Sequence, residues 1–293
     1  AQIRAAREQG YFVPFYYTVP DGHNPGGFSF SQQRREAVLE VARDEGILIV
    51  EDAPYLYINF ADPAQRAKPF LSMAPDQTVH LFTGSKIGFP GPRVGFLYSE
   101  AELEITDGQK VSLSELALVE SSSELLFHSP GALRGFEALL HERDEAEGFV
   151  ERQSIWPLAE EKLVVYRENR EILLEVFARE LGAYTEYFSW TIPEGGFFTV
   201  FTFLNNGAGK PVQTNDAMIE NMVMEHGLVV IPMYDFYPKD ARQRDPGAGM
   251  NQLRLSFCFS ESAGQQRRDD MREAVEAFCV AAKALVGLVG VSE

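Results

Sequence analysis

The sequence predicts an α/β protein in which a larger domain with a mainly parallel sheet precedes a smaller α+β domain. In the first 100 residues, short apolar and β-branched segments flank a helix, and the connections between them are short. This strand–helix–strand order is typical of a parallel sheet. After residue 156 the pattern changes to a long helix, short strands and a final helix. We therefore assign residues 1–155 to the larger domain and residues 156–293 to the smaller one.

The predicted elements of the larger domain begin with the aromatic and β-branched strand Tyr11–Thr18, which a turn-rich segment follows. Ser31 can cap the next helix, which ends at Gly46. The apolar positions that recur at helical spacing in this helix are Val38, Val41 and Ala42. The remaining predicted strands are Ile47–Val50, Val79–Phe82 and Val94–Tyr98.

The smaller domain begins with a long amphipathic helix that follows Pro157 and ends at Gly182. Its apolar stripe consists of Leu163, Tyr166, Leu173, Leu174, Phe177 and Leu181. Three short strands follow, at Phe197–Phe203, Leu228–Ile231 and Gln252–Phe259. A final amphipathic helix carries Met271, Val275, Phe278, Ala282 and Leu285 on one face. Strands between two such helices predict an α+β domain.

The composition limits the classes of partner. The 293 residues carry a net charge of −17 at pH 7, so neither nucleic acid nor a membrane surface is an expected partner. No run of about 18 apolar residues is present. Two isolated cysteines, Cys258 and Cys279, indicate neither a disulfide framework nor a zinc site, and they fit a reducing cytoplasm. The chain starts at Ala1 without a Met, so we expect that something preceded it.

Polar residues follow three of the predicted strands. Asn24, Asp52 and Lys86 each come after one of them. In α/β sheets, ligands bind beyond the carboxyl ends of the strands. We therefore expect these three residues on one rim of the sheet.

Lys86 lies in the segment TGSKIGFPGPRVG, in which hydroxyls, glycines and an arginine surround one lysine. Thr83, Ser85 and Arg93 can hold a phosphate dianion, and small residues allow close backbone approach. A lysine amine can form an imine with a carbonyl group. A lysine after a strand is more often a solvated surface group, so this interpretation depends on its neighbours.

Asp52 and Asn24 each have a structural and a chemical interpretation, and Tyr55 has a chemical one. Asp52 can cap a turn, or it can keep a pyridine nitrogen protonated. Asn24 can form the turn in HNPGG or donate a hydrogen bond to a cofactor oxygen, and the Tyr55 phenol can donate to the same oxygen. His128 is interpreted as a packing or loop residue and is left out of the site.

Four segments, in this order, resemble a known enzyme family: YYTVPDGHNPGG, ILIVEDAPY, FTGSKIGFPGPRVGF and NQLRLSF. The usual forms in that family are NPTG, EDDPY, SxSK…PGxRxG and a late arginine before Leu-Ser-Phe. The chain resembles the class I/II aminotransferases of the pyridoxal-phosphate-dependent transferase fold type I. The pattern is most similar to the branch that contains kynurenine/α-aminoadipate and aromatic amino acid aminotransferases.

The resemblance implies that the cofactor is pyridoxal 5′-phosphate (PLP) and that Lys86 forms the Schiff base with it. It implies that Asp52 bonds the pyridine nitrogen, and that Asn24 and Tyr55 bond the 3′-oxygen. Lys86, Asp52 and Tyr55 are the expected catalytic residues.

The same resemblance implies which residues bind the cofactor phosphate and the substrate carboxylate. Thr83, Ser85 and Arg93 are expected to surround the cofactor phosphate. Arg254 is expected to pair bidentately with the substrate carboxylate, which suits a planar guanidinium, and Asn24 is expected to contact the substrate as well.

The sequence departs from the family pattern at several positions. Gly26 or Gly27 replaces Thr in NPGG, Ala53 replaces the second Asp of EDDPY, and Phe89 and Pro92 stand where smaller or aliphatic residues are usual. These changes put the substrate in doubt rather than the cofactor. Family members also carry an N-terminal portion that supplies a phosphate turn and an aromatic ring, and that completes the partner's site. We expect that portion to be needed here, and we expect a homodimer.

The predicted reaction is the transfer of an amino group between an α-amino acid and a 2-oxo acid, with Lys86 as Schiff base and proton shuttle. Lyase, decarboxylase or oxidative tailoring chemistry on the same cofactor stays open. So does an effector domain of a GntR-type transcription regulator, in which a DNA-binding domain precedes this segment. Aromatic residues of the second half weakly indicate a hydrophobic side-chain pocket: Phe197, Phe198, Tyr234, Phe236 and Tyr237.

Overall fold

The computed structural model describes residues 1–88, 90–91, 93–125 and 129–288, so Phe89, Pro92 and His128 lie outside the described residues. The chain divides into two compact units. The first consists of Ala1–Asp21 and Ser29–Glu160, and the second consists of Gly22–Phe28 together with the described chain from Glu161 onward. The two domains that we assign from the sequence, with a boundary near residue 155, stay a prediction.

The first unit contains a four-stranded sheet in the order β1–β2–β3–β4. Its strands are β1 (Phe15–Thr18), β2 (Leu48–Asp52), β3 (Thr78–Thr83) and β4 (Gly95–Tyr98). β1, β2 and β3 pair in parallel, whereas β4 is antiparallel to β3. The predicted α/β class with a mainly parallel sheet is therefore confirmed. The predicted first strand is shorter than expected: only its last four residues form a ladder, while Pro14 accepts a hydrogen bond from Leu48 N.

The helices of this unit include α1 (Gln2–Glu8), α2 (Gln32–Asp44), α3 (Phe70–Met73), α4 (Leu113–Leu125) and α5 (Pro130–Leu139). Two hairpins follow the sheet: β5 (Glu102–Thr106) with β6 (Gln109–Ser112), and β7 (His141–Asp144) with β8 (Gly148–Glu151). The sequence pattern did not predict these hairpins, because their strands are mostly polar and exposed. One local signal was present in the sequence: the Asp107–Gly108 pair, which is typical of a two-residue hairpin turn. Both residues adopt the positive φ that such a turn requires.

Helix α2 begins where its sequence predicts. Ser31 Oγ accepts a hydrogen bond from Arg34 N at 3.2 Å. The helix ends before Gly46, which has a φ of 60°. The predicted apolar stripe is partly wrong, because Val41 is 52% exposed. The buried face consists of Arg35, Leu39 and Ala42, which follow the i, i+4, i+7 spacing of one helix face.

The buried guanidinium of Arg35 holds this unit's interior charges together. Its Nη2 donates to Asp21 Oδ1 at 2.7 Å, and its Nη1 lies 3.6 Å from Glu51 Oε1. Glu51 also accepts hydrogen bonds from the first two backbone N–H groups of α3, at 2.8 and 3.2 Å. His80 Nδ1 lies 2.8 Å from Glu51 Oε2. Burial raises the pKa of Asp21, and the neighbouring Arg35 opposes that rise. The carboxylates depend on this cation, because an unpaired buried charge is costly.

The second unit contains an antiparallel sheet in the order β11–β12–β10–β9. Its strands are β9 (Phe188–Trp190), β10 (Phe198–Phe203), β11 (Ile231–Pro232) and β12 (Gln252–Ser256). The long helix α6 (Trp156–Leu181) starts in the first unit and continues in the second. The other helices here include α7 (Asp216–His226), α8 (Lys239–Arg244) and α9 (Gly264–Leu285). Its core is rich in aromatic rings, which include Phe177, Phe188, Phe201, Phe203 and Phe278.

The predicted strand Leu228–Ile231 is wrong for most of its length, since only Ile231 of this segment joins the ladder. Leu228 N instead donates to Met222 O as α7 ends at Gly227, which has a φ of 65°. The predicted strand at Gln252–Phe259 ends at Ser256. The carbonyl oxygens of two residues beyond it accept hydrogen bonds from Asn169 Nδ2. No helix in the described part of the chain combines the length and apolar character needed to cross a membrane.

Replacing Arg35 with Ala is expected to lower the free energy of unfolding by about 3–5 kcal/mol, because two carboxylates lose their buried cation. Urea denaturation measures the change. The control is Arg134→Ala, since the Arg134 side chain is 79% exposed and its ion pair lies at the surface. We expect that variant to stay within about 0.5 kcal/mol of the wild type. A loss in Arg35→Ala as small as that of the control would contradict a stabilising role for the buried pair.

Candidate active site

Two of the predicted site residues lie at the carboxyl edge of the parallel strands. Asp52 is the last residue of β2, and Lys86 ends the short 3₁₀ helix Gly84–Lys86 that follows β3. Because β2 and β3 are adjacent and parallel, both side chains start from the same edge of the sheet. Asn24 belongs to the second unit. Its position on the same rim therefore stays a prediction.

The Lys86 side chain extends toward the ring of Tyr55. Nζ lies 5.8 Å from the ring centroid, which is within the range of a cation–π contact. Tyr55 is only 4% exposed, so its ring is a fixed surface against which the amine lies. This contact brings together two of the three residues that are expected to be catalytic, Lys86 and Tyr55.

The chain segment around Lys86 brings two hydroxyls and a guanidinium together. Thr83 Oγ1 accepts from Ser85 N at 3.2 Å, donates to Val94 O at 3.0 Å and lies 3.0 Å from Ser85 Oγ. Arg93 Nη1 donates to Ser85 Oγ at 3.4 Å. Among the described residues, no carboxylate forms an ion pair with Arg93. A cation beside two hydroxyls, with no anion of the described chain to neutralise it, is a suitable receptor for a phosphate.

Arg93 adopts a left-handed backbone conformation, with a φ of 59°. A side chain with a Cβ in that region costs on the order of 1–2 kcal/mol. Backbone strain of this kind is concentrated at ligand sites, where the surrounding structure holds it. The strain at Arg93 therefore supports a role for this loop in binding rather than in folding.

Asp52 has a hydrogen-bond partner that the sequence pattern did not predict. The Tyr17 phenol donates to Asp52 Oδ2 at 2.6 Å. Burial, together with the hydrogen bond to Asp52 and the charge of that carboxylate, raises the pKa of Tyr17 to about 12. The strand register contains the signal that could have identified this pair. Tyr17 aligns with Val50, and Asp52 is two residues further along β2 on the same face.

In the second unit, the Arg254 guanidinium lies between two aromatic rings. Arg254 is on β12, and its Cζ lies 4.2 Å from the ring centroid of Phe198 and 4.8 Å from that of Phe236. Its Nη1 donates to Asn24 Oδ1 at 3.0 Å. The structure thus brings together the two residues predicted to bind the substrate. Phe198 and Phe236 were predicted only as part of an aromatic pocket; their cation–π contacts hold the orientation of the guanidinium.

Close packing explains the glycine pair that follows Asn24. Gly27 has a φ of 73°, and a Cβ there would lie 2.5 Å from Phe198 O, so this position corresponds to the glycine of NPTG. Gly26 therefore occupies the threonine position. A Cβ at Gly26 would lie 2.5 Å from the Phe28 ring, which stacks on His23 at a centroid distance of 4.5 Å. Burial lowers the pKa of His23, so the stacked imidazole stays neutral at pH 7.

We expect Gly26→Thr to destabilise the protein by about 1 kcal/mol, because the new side chain displaces the Phe28 ring from His23. The double variant with Phe28→Ala removes the ring, so its total cost is expected to be smaller than the sum of the single effects. A double-mutant cycle from urea denaturation measures this coupling. Additive effects within about 0.3 kcal/mol would show that the ring does not require a glycine at this position.

Comparison with known proteins gives the family. The sequence model of the family described as aminotransferase class I and II matches residues 21–263. The (S)-3,5-dihydroxyphenylglycine transaminase of Amycolatopsis orientalis is 28% identical over 263 residues, covering 88% of this chain and 52% of that protein. Mouse mitochondrial kynurenine/α-aminoadipate aminotransferase is 28% identical over 250 residues, covering 85% and 51%. The chain thus spans about half the length of the curated relatives it matches.

Solved structures show the fold. A multiple substrate aminotransferase from Thermococcus profundus superimposes with a TM-score of 0.72 at 23% identity, covering 98% of this chain and 60% of that one. The α-aminoadipate aminotransferase LysN from Thermus thermophilus, in complex with N-(5′-phosphopyridoxyl)-L-leucine, gives 0.72 at 21% identity, covering 98% and 64%. The predicted fold type I of the PLP-dependent transferases is thereby confirmed. Because the family model matches most of its length, the chain belongs to the class I and II aminotransferase family.

Proposed function

We propose that this chain carries the lysine-bearing part of a PLP-dependent aminotransferase site that acts on α-amino acids and 2-oxo acids. The observation that carries the proposal is that Lys86 follows directly on Ser85, whose hydroxyl contacts the Arg93 guanidinium, at the same sheet edge as Asp52. A covalent amine, a phosphate receptor and a carboxylate are the three groups that PLP requires of a protein.

The residues present fit this cofactor. Thr83, Ser85 and Arg93 offer two hydroxyls and one cation to the phosphate dianion. Asp52 would hold the pyridine nitrogen protonated, and the Tyr55 phenol would donate to the 3′-oxygen. The assignment of Asn24 to that oxygen and to the substrate stays a prediction, because Asn24 belongs to the second unit.

Each of these side chains has a defined task in the proposed reaction. When bound, PLP supplies an electron sink for the bond that breaks at the substrate α-carbon. Lys86 Nζ would first hold the cofactor, then take the proton from the substrate α-carbon and return it later in the turnover. The buried Tyr55 ring limits where this amine can move, because it lies 5.8 Å from Nζ.

Arg254 is the proposed receptor for the substrate carboxylate, a group that α-amino acids and 2-oxo acids share. A planar guanidinium can offer two parallel N–H donors to a carboxylate. Its contacts with Phe198, Phe236 and Asn24 support this role, because they keep the guanidinium in one orientation before a substrate arrives. The substrate side chain is left open by these contacts.

The assembly and location of the whole protein are proposals of the same kind. We propose a homodimer on the basis of the family resemblance. We propose a cytoplasmic location because Cys258 and Cys279 are both free thiols, which a reducing compartment preserves.

Borohydride reduction of the purified protein with PLP, followed by peptide mass mapping, tests the central assignment. We expect the pyridoxyl label on Lys86, since this residue directly follows Ser85 of the proposed phosphate receptor. Lys86→Ala is expected to lose the label, whereas Lys110→Ala should keep it, because Lys110 is 63% exposed on a hairpin. Label that persists in Lys86→Ala would overturn the proposal. Analysis of the products from an amino acid then separates transamination from lyase or decarboxylase chemistry.

Arg254→Lys is expected to raise KM for the amino acid and for the 2-oxo acid by about 10- to 100-fold, because a point charge cannot replace the bidentate contact. The matched control is Arg244→Lys, since the Arg244 side chain is 74% exposed in a surface ion pair. Steady-state kinetics with both substrates measures the effect. Unchanged KM values in Arg254→Lys would place the carboxylate elsewhere.

A further inference from the structure

We propose that Tyr17 is a positioning residue for Asp52: its phenol holds one carboxylate oxygen so that the other is directed to the cofactor's ring nitrogen. This inference rests on the proposed function, because it takes Asp52 as the partner of that nitrogen. Tyr17 lies in the first of the four family-like segments, but the resemblance assigns it no role in the site. The inference therefore gives the aromatic strand β1 a function in cofactor binding.

The strand pairing delivers the two side chains to each other. β1 and β2 are parallel, and Tyr17 aligns with Val50. Asp52 lies two residues beyond Val50, so it projects from the same face of the sheet. The resulting distance from the phenol oxygen to Asp52 Oδ2 is 2.6 Å. Tyr16, the preceding residue on β1, projects to the opposite face.

The bond has the character of a charge-assisted hydrogen bond. Phenol-to-carboxylate bonds of about 2.5–2.7 Å are shorter and stronger than neutral ones. The pKa of Tyr17 is raised to about 12, so the phenol stays protonated and can only donate to the carboxylate at neutral pH. Within the described part of the chain, no second side-chain or backbone donor contacts Asp52. Tyr17 therefore fixes the rotation of a carboxylate that otherwise turns about its Cβ–Cγ bond.

A fixed carboxylate has a consequence for the cofactor. With Oδ2 held by Tyr17, Oδ1 is the oxygen that can accept from a protonated ring nitrogen, and it does so without first losing rotational freedom. Tyr17 is 53% exposed, so little of the core depends on its ring. Removal of the hydroxyl alone is therefore expected to change the site and to leave the fold intact.

Tyr17→Phe tests the inference, with Tyr16→Phe as the matched control because Tyr16 is an exposed neighbour on the same strand. We expect the dissociation constant for PLP to rise about 10-fold in Tyr17→Phe, since a hydrogen bond to a charged group is lost. Tyr16→Phe is expected to bind PLP as the wild type does. Absorbance titration of the bound cofactor measures both constants.

A second readout does not need the cofactor. Ultraviolet difference titration of wild type against Tyr17→Phe reports the ionisation of Tyr17 alone, and we expect it near pH 12. Because burial and the hydrogen bond to Asp52 both raise this pKa, the protonated phenol is fully retained below the ordinary pKa of about 10, and the protein loses stability as the pH rises from there through 12. In an Asp52→Ala background the same ionisation is expected at a lower pH, because the carboxylate partner is gone.

The outcomes separate this inference from the proposed function. Failure of the wild type and of Tyr16→Phe to bind PLP would remove the proposed function itself. Normal PLP binding by the wild type, with equal affinity in Tyr17→Phe, would overturn only the role of Tyr17. An ionisation of Tyr17 that does not respond to Asp52→Ala would overturn the hydrogen bond on which that role depends.

Discussion

The parallel pairing of β1, β2 and β3 is the constraint on which the first unit depends. Parallel strands end at one edge of a sheet, so this pairing assigns the residues after each strand to a common side. It gives Asp52 and the Lys86 loop a shared edge. The register between β1 and β2 also brings the Tyr17 phenol into hydrogen-bond contact with Asp52. Arg35 supports the same strands from the interior, because its guanidinium lies beside Glu51, the residue before Asp52.

The two proposed anion receptors differ in construction, and each lies in a different unit. In the first unit, the hydroxyls of Thr83 and Ser85 lie with Arg93, whose own backbone has a positive φ. Such a receptor suits a phosphate, which accepts from several directions. In the second unit, Arg254 projects from a strand and is held by two aromatic rings and Asn24. That rigid, planar receptor suits a carboxylate. The two constructions agree with the proposed cofactor, which carries a phosphate, and with the proposed substrates, which carry a carboxylate.

The parts of the fold that the sequence could predict are those with a local signal. Ser31 before a helix, Gly46 after it and the apolar segment before Asp52 are each visible within a few residues. The parts that it could not predict depend on distant partners. Arg35 is buried with two carboxylates from other segments, and the buried helix face runs through Arg35 and not through the exposed Val41. From the sequence alone, Tyr17 cannot be distinguished from an ordinary aromatic strand residue, because its contact with Asp52 depends on the register with β2.

The central claim is that Lys86, Asp52 and the phosphate receptor form one cofactor site. A crystal structure of the protein with PLP tests it most directly. We predict electron density that is continuous from Lys86 Nζ to the cofactor, with the ring nitrogen within hydrogen-bond distance of Asp52 and the phosphate against Thr83, Ser85 and Arg93. A phosphate bound away from those three residues, or a ring nitrogen without a contact to Asp52, would contradict it.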